Sequence, residues 1–207
     1  MRKHSILRNK RAIVGIEAAI VLIAFVVIAS ALAYVVINMG FFSAQKAKDT
    51  ISQGVSEATS ALQLDGSVIA KTNTTAYAQY LAFPVKLSVG KAELDLNNNT
   101  VVVSVYSGDM ALLDIYNGST ANDTIDLDTV LQSVGADTAE FVIYNSDNDS
   151  VLELNEKAFL VINLGTGHEL ASYSKVKIEV RTSQGAALTV ERQIPGGLPE
   201  EGYVDLG

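Results

Sequence analysis

Glu17 is the only charged residue between Arg11 and Lys46, and its position invites chemistry. It stands near the start of the run Ile13-Val14-Gly15-Ile16-Glu17-Ala18-Ala19-Ile20-Val21-Leu22-Ile23-Ala24-Phe25, directly after Lys10-Arg11-Ala12. An isolated carboxylate in apolar surroundings is costly unless something pairs with it. Two readings fit. Glu17 can occupy a first helical turn, where the helix dipole favours an acid and a headgroup layer keeps it wet. Alternatively, a cut between Ala12 and Ile13 frees an α-amino group, and that ammonium, on the same or a neighbouring chain, becomes the partner of Glu17 as helices bundle without lipid. The second reading makes assembly depend on processing.

Other chemistry is sparse. The two imidazoles are His4, in the basic leader, and His168, beside Gly165-Thr166-Gly167. That glycine pair is too short for a phosphate loop, and no nucleophile-elbow motif accompanies the histidine, so His168 reads as a turn residue and the chain as a non-enzyme. There is no cysteine, which removes disulfides and thiolate metal sites. The loop 145–156 gathers Asp147, Asp149, Glu153 and Glu156, oxygen ligands of the kind Ca²⁺ takes. It departs from an EF-hand, because Val151 stands where another Asp or Asn belongs and no glycine follows; a solvated turn is the first reading, a Ca²⁺ site the second. No cofactor is required. Five N-x-S/T sequons, at Asn73, Asn98, Asn117, Asn122 and Asn148, exceed the roughly two that chance would place. All five fall in expected loops or strand ends and point to an externally glycosylated surface.

The element that must position Glu17 is a helix. From Ala18 to Ile37 there are 20 residues without a charge, enough to cross a hydrocarbon core about 30 Å thick. Five Lys/Arg within residues 1–12 (Arg2, Lys3, Arg8, Lys10, Arg11) hold the N-terminus in the cytoplasm and direct everything after Phe42 outside. No small-residue cleavage site follows the apolar run, unlike a secretory signal, so any cut removes the leader alone. The helical pattern also outlasts the membrane: Ala47, Ile51, Val55, Ala58 and Leu62 trace one apolar stripe. The expected helix covers 13–65, with Gly66 as its stop, and needs partners along its whole length.

At these residues the chain resembles the precursor N-terminus of an archaellin, the archaeal flagellin, within the type IV pilin superfamily. The resemblance covers residues 8 to 42. It implies cleavage after Ala12 by a prepilin-type membrane peptidase, with Glu17 as fifth residue of the mature chain and Gly15 and Glu17 serving assembly. The family more often has Gly before the cut, so Ala12 departs from its pattern. It further implies membrane assembly machinery as a partner, a separate ATP-driven motor, and archaellin domains that can hold a metal in a loop like 145–156.

The remainder, 66–207, reads as an exterior β domain. Val176, Ile178 and Val180 alternate with Lys175, Lys177, Glu179 and Arg181, and after Ser183-Gln184-Gly185 the residues Leu188, Val190 and Ile194 alternate with polar ones, a hairpin with complementary charges across it. Further strands are expected at Tyr80 to Val89, where Pro84 suggests an edge or bend, and at Thr100 to Tyr106, Leu112 to Tyr116, Phe141 to Tyr144 and Lys157 to Leu164. Phe159 to Ile162 are apolar on both faces, as in a central strand, and Leu127 to Val134 reads as a helical turn. The expected fold class is α+β, a long hydrophobic helix followed by an antiparallel β-sandwich.

Charge agrees with an exported surface protein. Loss of the five leader cations takes the formal charge from −8 to −13, which argues against nucleic acid. The resulting expectation is a filament subunit of the archaellum that polymerises with itself or related subunits, outside the cell, after passing transiently through the membrane. The rivals are an adhesive type IV pilus subunit and a monomeric membrane-anchored binding domain.

Overall fold

Residues 10–58 contain no proline, and they fold as one helix, α1 (Lys10–Ala58), of 49 residues and about 74 Å. Stretches such as Val26-Val27-Ile28 and Val35-Val36-Ile37 are indifferent helix formers in water. In hydrocarbon the helix is the one conformation in which a single segment satisfies all its own backbone groups. The computed structural model describes residues 10–59, 61–89, 93–123 and 126–207. It divides into two units, Met1–Gly54 and Val55–Gly207. The leader residues 1–9 lie outside the described residues, and Ala12 and Ile13 are described as helical backbone.

The second unit contains β1 (Leu62–Leu64), β2 (Ile69–Thr72), β3 (Ala78–Leu87), β4 (Glu93–Asp95), β5 (Val102–Ser107), β6 (Met110–Leu112) and β7 (Tyr116–Ala121). Then come α2 (Leu127–Ser133), β8 (Thr138–Tyr144), β9 (Val151–Glu153), β10 (Lys157–Asn163), β11 (Lys175–Arg181), β12 (Leu188–Gln193) and β13 (Tyr203–Asp205). One sheet runs β13-β2-β3-β10-β8-β7, with β1 also on β3; a second runs β12-β11-β5-β6; β4 and β9 form a small ribbon. The two larger sheets share a core. Leu81, Phe83, Phe141, Leu160 and Ile162 come from the first, and Val103, Val105, Val176, Ile178 and Val180 from the second. The other face of the first sheet, at Ala82, Val142 and Val161, is covered by Val130, Leu131 and Val134 of and beside α2. That cover is why β10 is apolar on both faces.

The β11–β12 hairpin forms as its alternation predicts, with Lys177 opposite Glu191 and Ile178 opposite Val190. Three expectations need correcting. The helix ends at Ala58, not near Leu64, because Leu62 and Leu64 pair with Leu87 and Val85 of β3 and Leu62 is 2% exposed. Burial in the β core outweighs continuation of the stripe, so Leu62 leaves the seam and Gly66 is not the stop. Pro84 does not mark an edge strand: β3 has neighbours on both sides, and Pro84 sits where β2, which ends its pairing at Ala82, gives way to β1, which begins at Val85. Its missing N–H falls in that gap, and its carbonyl accepts from Asp65 N at 3.0 Å. The expected strand Leu112 to Tyr116 is divided between β6 and β7, since Asp114 takes a left-handed φ of +52°. The α+β class, a long apolar helix followed by a sandwich of antiparallel sheets, is as expected, with β7 on β8 a parallel pair within it.

Candidate assembly surface

The helical seam is built from side chains that nothing in the first unit covers. Each large apolar residue from Ile16 to Phe42 is between 49% and 73% exposed. This is far more contiguous apolar surface than the few hundred Å² a soluble monomer shows. Its mean hydropathy reaches 3.0, and among the described residues α1 alone is long and apolar enough to cross a membrane. Glu17, Ala18, Val21, Leu22 and Phe25 line one shallow groove along it, so the acid shares a face with the apolar residues one and two turns on. No cation forms an ion pair with Glu17 among the described residues. Gly15 has open space beside it, room for a close neighbour. Farther along, Ile51 and Val55 are 67% and 58% exposed and continue the stripe with Ala47.

The helix ends in a clasp. Thr59 Oγ1 donates to Val55 O at 3.0 Å, capping the last turn of α1, and Ala186 N in the turn between β11 and β12 donates to Thr59 O, just beyond the helix, at 3.0 Å. Gly185 makes that approach possible. Its φ is +85°, and a Cβ there would run into Thr59 O and come within 3.0 Å of Ala61 N. The sequence marks Ser183-Gln184-Gly185 as a turn but carries no signal of what it touches.

The expected sites on the β domain separate on inspection. Asn98 and Asn148 are exposed in turns, Asn73 is half-buried in the β2–β3 turn, and Asn122 is half-buried just after β7. Asn117 is the second residue of β7, and its Nδ2 donates to Glu140 Oε1 at 3.0 Å. The four loop carboxylates are not drawn together. Asp149 Oδ1 accepts from Val151 N at 2.8 Å, while Glu156, 7% exposed, turns inward and accepts from Glu153 N at 2.9 Å. Asp147 and Glu153 stay exposed, and no group of three or more His, Cys, Asp or Glu that could hold a metal occurs among the described residues. His168 fastens a turn: its Nδ1 lies 2.8 Å from Asp137 Oδ1, which also accepts from Gly165 N at 2.9 Å.

Charge on the domain is arranged in small networks. Lys86 and Lys157 hold Asp65 at 2.6 and 2.9 Å, and their hydrogen bonds keep its carboxyl below the usual carboxylate range. Lys71 and Tyr203 both donate to Asp128 Oδ1. Burial, with Asp128 beside it, pushes the Tyr203 hydroxyl up to about 12. Burial also raises the Tyr116 hydroxyl above its ordinary value, where it donates to Leu96 O in the core.

Comparison with known proteins gives a consistent result. The model of the archaeal-type flagellin family matches residues 12–192. The chain is 47% identical to a probable flagellin 1 of Aeropyrum pernix, over 97% of this chain and 100% of that protein. It is 34% identical to a probable flagellin 1 of Archaeoglobus fulgidus, over 91% and 92%. Among solved structures it is similar to the archaeal flagellum of Methanospirillum hungatei, at 27% identity and a TM-score of 0.52, covering 88% of this chain and 94% of that one. The fold alone is shared with the crystal structure of the archaeal flagellin FlaB1 of Methanocaldococcus jannaschii, at 16% identity and a TM-score of 0.57 over 70% and 95%.

Proposed function

This chain belongs to the archaeal-type flagellin family, and from that premise we infer how it reaches and enters its polymer. It is a structural subunit of the archaellum, a filament for swimming motility, and its role is self-assembly rather than catalysis. The adhesive-pilus and monomeric-receptor alternatives are not favoured by the relatives. The observation that carries the reading is the uncovered apolar helix, 49 residues of which only part can be inside a bilayer at once. Packing α1 against copies of itself buries that surface once the helix leaves the lipid.

The finer steps are these. A prepilin-type peptidase cuts between Ala12 and Ile13 while α1 spans the membrane with its basic end in the cytoplasm. Membrane assembly machinery then lifts the subunit out, and the new ammonium at Ile13 pairs with Glu17 of its own or an adjacent helix. The β domain faces outward, where the sequons meet glycosylating enzymes. No cofactor takes part. Shearing cells and sequencing the N-terminus of the protein in the long particles tests both levels. The expected result is filaments whose subunit begins Ile13-Val14-Gly15; a start at Met1 or after Ile37 overturns the processing step, and protein found only as a membrane-bound monomer overturns assembly.

A further inference from the structure

Between the β2–β3 turn, α2 and β13 lies a cleft of about 470 Å³. Its size falls in the range of small-molecule sites. Planar hydrogen-bonding side chains line it: Asn73 and Gln79 from one wall, and Asp128 and Gln132, one turn apart, from α2. Tyr80 and Tyr203 add aromatic surface with hydroxyl tips. The polar groups are held in place beforehand. Lys71 and Tyr203 both donate to Asp128 Oδ1, which leaves Oδ2 of that carboxylate beyond the pair, and the Lys71 ammonium lies 5.5 Å from the centre of the Tyr203 ring.

The lining excludes several ligand classes. Among the described residues lining it Lys71 is the one cation, it is already ion-paired, and Asp128 with Glu201 outnumbers it, so a phosphate or carboxylate is repelled. An apolar ligand would strand the amides without partners. No group of described residues here could hold a metal. What matches several amide and carboxylate groups beside tyrosine rings is a neutral molecule rich in hydroxyls, with C–H faces to rest on the rings. We propose that this cleft binds a saccharide.

Asn73 gives the sugar two possible sources. The residue is both part of the lining and the acceptor of the sequon Asn73-Thr74-Thr75, and its Oδ1 is fixed by Thr75 N at 3.0 Å, Thr75 Oγ1 at 2.9 Å and Tyr77 N at 3.0 Å. A glycan attached there would start at the mouth of the cleft and fold into it. The alternative source is a free or foreign surface saccharide.

The test uses filaments sheared from cells and four free monosaccharides, glucose, galactose, mannose and N-acetylglucosamine, followed by saturation-transfer NMR. Thr75→Ala filaments, which lose the sequon but keep every side chain of the lining, are expected to bind at least one of the four, and adding Gln132→Ala, an exposed change that leaves the core alone, is expected to weaken it about tenfold. Wild-type filaments that bind as well as Thr75→Ala filaments identify a free saccharide as the ligand; binding by Thr75→Ala filaments but not by wild type identifies the attached glycan as the occupant. No binding by Thr75→Ala filaments, or binding indifferent to Gln132, overturns the cleft. Either result leaves the filament reading standing, since that one fails only if no filaments form.

Discussion

Glu17 has two accounts, a first-turn helix residue or the partner of a freed ammonium, and its substitutions separate them. If the carboxylate meets the Ile13 ammonium inside a helical bundle, Glu17→Ala leaves a buried cation unpaired and costs about 3–5 kcal/mol per contact. Glu17→Ala is therefore expected to be exported and folded but to give few filaments by electron microscopy, with Glu17→Gln intermediate because the amide still accepts a hydrogen bond. Wild-type yield from Glu17→Ala would make the acid merely a first-turn residue. Asp65 offers a second measurement. Lys157 and Lys86 lower its folded-state pKa, so the ionised form is favoured by folding. Such a group contributes stability that is present above its unfolded pKa and is lost as pH falls through the lower, folded value. Asp65→Asn should thus lower the melting temperature at pH 7, and the gap to wild type should close only as the pH drops below the ordinary carboxylate range. A gap unchanged in acid would show that the ion pairs are not its cause. Neither Asp65 nor its lysines stood out in the sequence, because a surface charge announces nothing about a partner 92 positions away at Lys157.

Elements explain what could be read and what could not. The strands β10 and β11 were legible because six or seven residues of period-2 or two-faced apolar pattern leave little ambiguity. Of the three-residue strands, β6 folds back on its neighbour β5, but β1, β4, β9 and β13 have no period to read, and their places are fixed only by partners far along the chain. The same limit hid the end of α1. A residue such as Leu62 continues a helical stripe as well as it begins a strand, and tertiary burial decides. Fragment boundaries follow from this. A fragment Val55–Gly207 keeps β1 and the clasp and is expected to be a folded, β-rich monomer. One starting at Ser67 loses the buried Leu62 and Asp65 and should be less stable by about 2–5 kcal/mol in urea titration. In the longer fragment Gly185→Ala should cost about 1–3 kcal/mol, since φ +85° and the collision with the helix terminus both count against a side chain. Equal midpoints for Gly185→Ala and the parent would remove the clasp from the account.

At the scale of the molecule, the chain joins a helix with no core of its own to a domain with a fully formed β core. Full-length processed protein is accordingly expected to pellet from detergent-free buffer unless it polymerises; a soluble monomer in sedimentation velocity would contradict the burial argument. This division was plain in the sequence, since a charge-free run of 20 residues and a chain of alternating segments obey different periodicities. The saccharide cleft was not, because Lys71, Asp128 and Tyr203 meet across separations of 57 and 75 residues. The pairing of β13 with β2 also bears on timing. Tyr203 lies opposite Lys71, and Thr72 N donates to Gly202 O at 2.9 Å, so a strand near the start of the domain is completed by one that leaves the ribosome about 130 residues later. Until β13 is made, β2 has an open edge, the kind of exposed strand that invites pairing with another copy. On the export route proposed above, this sets a clock on folding: a subunit tethered by its helix has to stay apart from its neighbours for as long as β13 takes to arrive.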